Sequence, residues 1–86
     1  MYTLKFTNQF KKDSKLMIKR GKDIALLDNV IKKIQNGEKL DAKYHDHALT
    51  GFRECHIQPD WLLIYFIENK IMVLTLVRTG SHSNLL

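Results

Sequence analysis

The stretch Glu54–Ile67, ECHIQPDWLLIYFI, decides how the rest of this chain is read. Its second half, Leu62-Leu63-Ile64-Tyr65-Phe66-Ile67, is apolar at every position, as a strand is when both of its faces are covered, so it belongs in the middle of a sheet. Its first half ends in Gln58-Pro59-Asp60, turn chemistry that sends the chain back alongside itself. A tight hairpin turn needs only Gly or Asn. This one carries an imidazole at His56, a carboxylate at Asp60 and an indole at Trp61.

Working outward, Phe52–Ile57, Trp61–Ile67 and Ile71–Val77 are short, apolar and rich in β-branched or aromatic residues, with Gln-Pro-Asp and Glu-Asn-Lys between them. They predict a three-stranded antiparallel meander. Near the N-terminus, Tyr2–Phe6 alternates apolar and polar positions and reads as a further strand. Between these lie two helical patterns. The first opens at Thr7 or Asn8 and puts Phe10, Ser14, Met17 and Ile18 on one face, with Lys11, Lys12, Lys15 and Lys19 outward. The second runs from Asp23 with Ile24, Leu27, Val30, Ile31 and Ile34 at helical spacing, and stops at Asn36-Gly37. Arg20-Gly21-Lys22 is too short a link for anything but an antiparallel helical hairpin. Residues 38–50 are polar and aperiodic and read as a loop across the fold. The expectation is one α+β domain over residues 1–86, with the helical hairpin on one face of a mainly antiparallel sheet.

Eighty-six residues close a single small core, so function must sit on its rim. No apolar run approaches the roughly 20 residues that span a bilayer. The opening MYTLKFTNQF lacks the apolar core of a signal peptide, which points to the cytoplasm and away from membranes. The lone Cys55 excludes an internal disulfide framework. The net charge is +5, unevenly placed: residues 1–43 carry eleven Lys/Arg against five Asp/Glu, residues 44–86 carry three against four, and all four His lie in the second half. A basic half beside a His-rich half suits a polyanion gripped by one region and worked on by another. Equally, the lysines can simply solvate helices.

In a meander, alternate turns share an edge, so the end of the last strand returns to the edge of the Pro59-Asp60 turn. His56, Asp60, Trp61, Arg78 and His82 converge there, with His45 and His47 of the preceding loop close by. Two imidazoles supply a base and an acid near neutral pH. Arg78 offers a cationic fork for a phosphate, and Trp61 a stacking face for an unpaired base. Together these are the parts of a metal-independent ribonuclease acting through the ribose 2′-OH. Each part has a plainer reading too: Trp61 as the edge of the core, Arg78 as a partner for loop carbonyls, Asp60 as an ordinary turn residue. His45-x-His47 and Cys55-His56 could donate to a metal, but neighbours on a strand point to opposite faces. The same objection meets a Cys–His nucleophile, and no Gly-rich phosphate loop follows a strand. Neither a metal nor another cofactor is expected.

Tyr44–Leu49 (YHDHAL), Phe52–Tyr65 (FRECHIQPDWLLIY) and Arg78–Leu86 (RTGSHSNLL) resemble, in that order and along the whole chain, the YafQ-type branch of the RelE/ParE toxin superfamily. The resemblance implies a RelE-like β-α-α-β-β-β fold. It also implies the toxin of a type II toxin–antitoxin pair, an endoribonuclease that cuts mRNA in the ribosomal A site. By motif, His47, His56 and Asp60 match catalytic positions, Arg78 the phosphate-binding arginine and His82 the proton donor. His56, His47 and Asp60 all remain open as the general base. Trp61 matches a contact beside the site, and Leu86 stands where the family often ends in an aromatic that holds the substrate base. Leu49–Arg53, LTGFR, is shorter than the family's usual approach to the hairpin. Lys11, Lys12, Lys15 and Lys19 would grip ribosomal RNA. The implied partner is an antitoxin whose acidic or amphipathic segment wraps the basic face, in a complex that binds operator DNA. Two alternatives use the same scaffold: a ParE-like inhibitor of DNA gyrase without nuclease activity, and an RNA- or antitoxin-binding module whose histidines are passive.

Overall fold

The computed structural model of the protein describes residues 1–85. Strand β1 (Thr3–Phe6) leads into helices α1 (Asn8–Lys19) and α2 (Ile24–Gln35), then a single 3₁₀ turn at Ala42–Tyr44. Strands β2 (His47–Leu49), β3 (Phe52–Gln58), β4 (Trp61–Glu68) and β5 (Val73–Ser81) follow, and the short helix α3 (His82–Leu85) ends the described chain. The strands form one sheet in the order β1-β5-β4-β3-β2, antiparallel except for the parallel β1–β5 pair. The apolar run of β4 thus occupies the central position that its composition demanded.

Both helices begin on side-chain caps: Thr7 accepts the Phe10 N–H and Asp23 the Ala25 N–H. Both end on a glycine at positive φ, Gly21 at 79° and Gly37 at 76°, where the bonds Lys22 N–H to Met17 O and Glu38 N–H to Lys33 O close the last turn. Phe10 and Met17 of α1 and Leu27, Val30, Ile31 and Ile34 of α2 cover one face of the sheet. Cys55, Ile57, Trp61, Leu63, Tyr65, Leu74 and Leu76 meet them from the strands, spaced by the period of two that puts alternate residues on one face.

Three features depart from the sequence reading. Residues 38–50 are not simply a loop, because His47–Leu49 pair with Phe52–Glu54 and extend the meander to four strands. Three residues are too few to show a periodicity, and the pairing depends on Gly51, at φ 75°, turning the chain. The last strand starts later and runs further than expected, to Ser81, so Arg78 lies within it. Its polar Arg78-Thr79-Gly80-Ser81 end reads as loop only until its pairing with Trp61–Ile64 is seen. Finally, the buried stripe of α1 is Phe10, Asp13 and Met17, while Ser14 is half-buried and Ile18 is 53% exposed.

Asp13 is in that stripe because β1 accompanies β5 only as far as Leu76. Beyond it the outer edge of β5 would be left with unpaired backbone groups. Helix α1 takes over: the Thr7 hydroxyl donates to Val77 O at 2.7 Å, and the Asp13 carboxylate accepts the Thr79 N–H at 3.2 Å. Asp13 also accepts from Arg78 Nε and Nη2, at 3.0 and 3.1 Å, and from Gln9 at 3.0 Å. Next to it, the Thr79 hydroxyl accepts from Trp61 Nε1 at 2.9 Å and donates to Leu62 O at 2.8 Å, so the network crosses from α1 to β4.

Burial works to raise the Asp13 pKa, but hydrogen bonds from Arg78, Gln9 and the Thr79 N–H, with the guanidinium charge, outweigh it and hold the carboxyl below its ordinary value. A carboxyl so depressed stabilises the fold above the ordinary carboxylate range and loses that contribution as pH falls through its native value. Asp13→Ala is therefore expected to lower urea-measured stability at about pH 7 by about 2–3 kcal/mol, a figure reduced for the partly exposed Arg78. The gap to the native protein should narrow as pH drops from about 5 toward about 3. A loss under about 0.5 kcal/mol would mean the network does not hold α1 to the sheet.

Candidate active site

The face of the sheet away from α1 and α2 is read from the strand register, since paired residues point the same way and the next pair on that face is two residues on. One row across it is His47, Glu54, Ile64 and Arg78, and the next is His56, Leu62 and Gly80. Helix α3 packs back on β5 and closes the end of this face. Leu85 lies over Gly80, where a Cβ would stand 3.5 Å from its side chain, and Leu62 beside it is fully buried. That fold-back starts at His82, whose N–H donates to Asp60 Oδ1 at 3.3 Å across the β3–β4 turn. Trp61 pairs with Ser81, so the edge expected to gather Asp60 and His82 does so.

The two strand histidines are held differently. His56 Nδ1 faces the Pro59 carbonyl at 3.2 Å. A carbonyl only accepts, so Nδ1 carries the hydrogen and Nε2 the lone pair. His47 Nδ1 meets His45 O at 2.6 Å, and its Nε2 lies 3.3 Å from Glu54 Oε1. Both its nitrogens face acceptors, which ties the start of β2 to Glu54 of β3. Glu54 is itself buried, and its second oxygen has no partner. His45, in the left-handed conformation at φ 49°, stands edge-on to His56 with ring centroids 5.5 Å apart. The two rings share a cavity of about 610 Å³ with Leu26, Lys43, Tyr44, Ile57, Gln58 and Pro59, and among the described residues no carboxylate lines it. The Tyr44 ring there has Lys43 and Lys33 ammonium groups 5.2 and 5.5 Å from its centroid.

Arg78 spends Nε and Nη2 on Asp13, which leaves Nη1 outside the pair, and donating to Asp13 raises its already high pKa. The guanidinium is a fixed cation. Trp61 is corrected outright: it is fully buried, bonded to Thr79, and shows no face to a base. It is the first core-facing residue after the turn, and the interior claims its area. Lys11, Lys12, Lys15 and Lys19 are exposed on α1 and share no row with the histidines. Leu86 lies outside the described residues. Cys55 points to the core, away from His56, and burial, with the charges of Asp46 and Glu54, pushes its thiol up to about 12. It stays protonated at neutral pH, neither nucleophile nor thiolate ligand. Among the described residues no three His, Cys, Asp or Glu side chains are grouped so as to hold a metal ion.

Two residues of the site escaped the sequence reading. Glu54 lies two positions before His56, so strand alternation alone would have put both on one face. Asp13 sits between Phe10 and Met17 at helical spacing, and a carboxylate inside an apolar stripe was the signal.

A sheet with a helix pair on one face and a histidine-bearing rim on the other is an arrangement found in known proteins. The family model described as bacterial toxin of type II toxin-antitoxin system, YafQ, matches residues 2–86. The chain belongs to that family. A relative from Escherichia coli strain BL21-DE3, mRNA interferase toxin YafQ, is 40% identical over 95% of this chain and 92% of its own length. The crystal structure of a metal-bound toxin from Helicobacter pylori superposes with a TM-score of 0.94 at 43% identity over all of both chains. In the crystal structure of the E. coli DinJ–YafQ complex, a matching chain superposes at 0.90 with 37% identity, over 100% of this chain and 99% of that one.

Trp61 is the sole tryptophan, which makes its burial directly measurable. Its emission should be blue-shifted, weakly quenched by acrylamide and unchanged by a single-stranded RNA oligonucleotide. Quenching on RNA addition would return Trp61 to the role of base platform.

Proposed function

We propose that this chain is the endoribonuclease toxin of a type II toxin–antitoxin pair and cuts mRNA on the ribosome through the ribose 2′-OH. The observation that carries this is the hydrogen bond from the His82 backbone N–H to Asp60 Oδ1, which sets the start of α3 against the β3–β4 turn whose Pro59 carbonyl faces His56. The family and the mRNA interferase names of the E. coli relatives support the same activity.

In this reading His56 is the base. Its Nε2 lone pair takes the 2′-OH proton, O2′ attacks the adjacent phosphorus, and the 5′-oxygen leaves with a proton from His82, giving a 2′,3′-cyclic phosphate end. Asp60 is a positioning residue that holds the His82 backbone. Arg78, fixed by Asp13, presents its remaining N–H groups to the charge that grows on phosphorus. His47, engaged at both nitrogens, secures the start of β2 against β3 rather than moving a proton. No cofactor enters these steps. The α1 lysines would bind ribosomal RNA, with the reaction in the cytoplasm where translation occurs. An antitoxin is the partner, by analogy with the DinJ–YafQ complex, and the toxin–antitoxin complex would bind operator DNA.

The test is single-turnover cleavage of ribosome-bound mRNA in a translation extract. His82→Ala and His56→Ala should each slow it about 10²- to 10⁴-fold. His47→Gln should keep most of the rate. Codon-phased cuts that persist unchanged in His82→Ala would overturn the acid assignment. No cuts at all, with DNA supercoiling inhibited, would move the protein to the gyrase-inhibitor class.

A further inference from the structure

The rows of the helix-free face continue away from the histidines. Two residues along β4 from Ile64 in the row of Arg78 comes another, with Lys5 of β1, Thr75 of β5 and Phe66 of β4 side by side. Phe52 of β3 and Leu49 of β2 complete it, the Phe52 ring edge-on to that of Phe66 with centroids 5.8 Å apart. Phe52 is 40% exposed and Phe66 only half-buried, on a face that neither α1 nor α2 covers. A cross-strand aromatic pair does stabilise a sheet. Two phenyl rings left open to water beside a reactive row are nonetheless the kind of exposed apolar surface that marks a binding site.

Position and charge indicate the ligand. At about 3.4 Å per residue, the pair lies about 7 Å from the row of Arg78 and about 14 Å from that of His56. An extended RNA strand covers the longer distance in about two nucleotides. Lys5 is exposed in the same row, and the row contains no carboxylate. Aromatic faces for a base beside a cation for its phosphate are what a single-stranded polyribonucleotide requires.

We propose that Phe52 and Phe66 are the stacking platform for an unpaired base about two nucleotides from the scissile phosphate, with Lys5 on the adjoining phosphate. The pair takes the part that buried Trp61 cannot play. The proposal rests on the RNA-cutting reading of the same face. Stacking tolerates any base, so the platform sets the strand's grip and register rather than its sequence.

The experiment compares Phe66→Leu, Phe52→Leu and Phe66→Tyr in the ribosome cleavage assay. Leu keeps the apolar bulk and Tyr keeps the ring. Each Leu variant should raise the half-saturating concentration about 5- to 150-fold, with the saturated rate within about twofold of native and an unchanged melting temperature; Phe66→Tyr should behave as native. An abasic nucleotide at the predicted position should weaken the native protein equally and add nothing to Phe66→Leu. Effects of Leu and abasic site that multiply, or an unchanged half-saturation, would overturn the platform. So would Leu variants that cut normally but escape neutralisation by antitoxin, which would make the pair a protein-docking surface. Binding of a labelled single-stranded RNA to the His82→Ala protein separates this from failure of the nuclease reading. Affinity lost on adding Phe66→Leu supports the platform even where nothing is cut, and affinity unchanged overturns it.

Discussion

The carboxylate of Asp13 is the constraint on which the rest of the structure depends. It is a charge inside an apolar helix stripe, and a buried charge is tolerable only when fully partnered. Here the partners are the N–H of Thr79, left open where β1 ends, and the guanidinium of Arg78. One group therefore closes the edge of β5, fixes α1 against it and holds the cation of the active rim. Through the Thr79 hydroxyl and Trp61 the same network reaches β4. The end of β5 is thus set against the β3–β4 turn, which is why His82 meets Asp60.

The division of the sheet into a packed face and a chemical face rests on register. A slip of one residue would exchange the faces, bringing His56 inward and Cys55 out. Two bulges adjust that register. Extra residues at Ile57 in β3 and Val77 in β5 interrupt the ladder. The first lets Ile57 and Trp61 both enter the core while His56 stays outside. The second keeps Arg78 in row with Ile64 and Glu54 although Leu76, opposite Tyr65, is a core residue. Such bulges commonly aim side chains near functional sites.

The candidate site was legible in part. A meander obliges alternate turns to share an edge, so the meeting of the Pro59-Asp60 turn with the Arg78–His82 segment followed from strand count alone. What each residue does there did not. Trp61 has the same neighbours in sequence whether its indole faces solvent or core, and only packing decides. His47 reads as a free imidazole until Glu54 and the His45 carbonyl occupy its two nitrogens. The strand that carries it was hidden because three residues contain too little pattern to register.

By itself the sequence determined the α+β class, the two amphipathic helices, the central strand and the edge at which the Pro59-Asp60 turn meets the end of β5. These follow from local periodicity, capping and turn chemistry, which act over a few residues. Only the tertiary structure decided which side chains are spent on holding the fold and which are left open for chemistry. That depends on pairings between residues far apart in the chain, Asp13 with Arg78 and Trp61 with Thr79, whose energies come from burial and partnering that no local window contains.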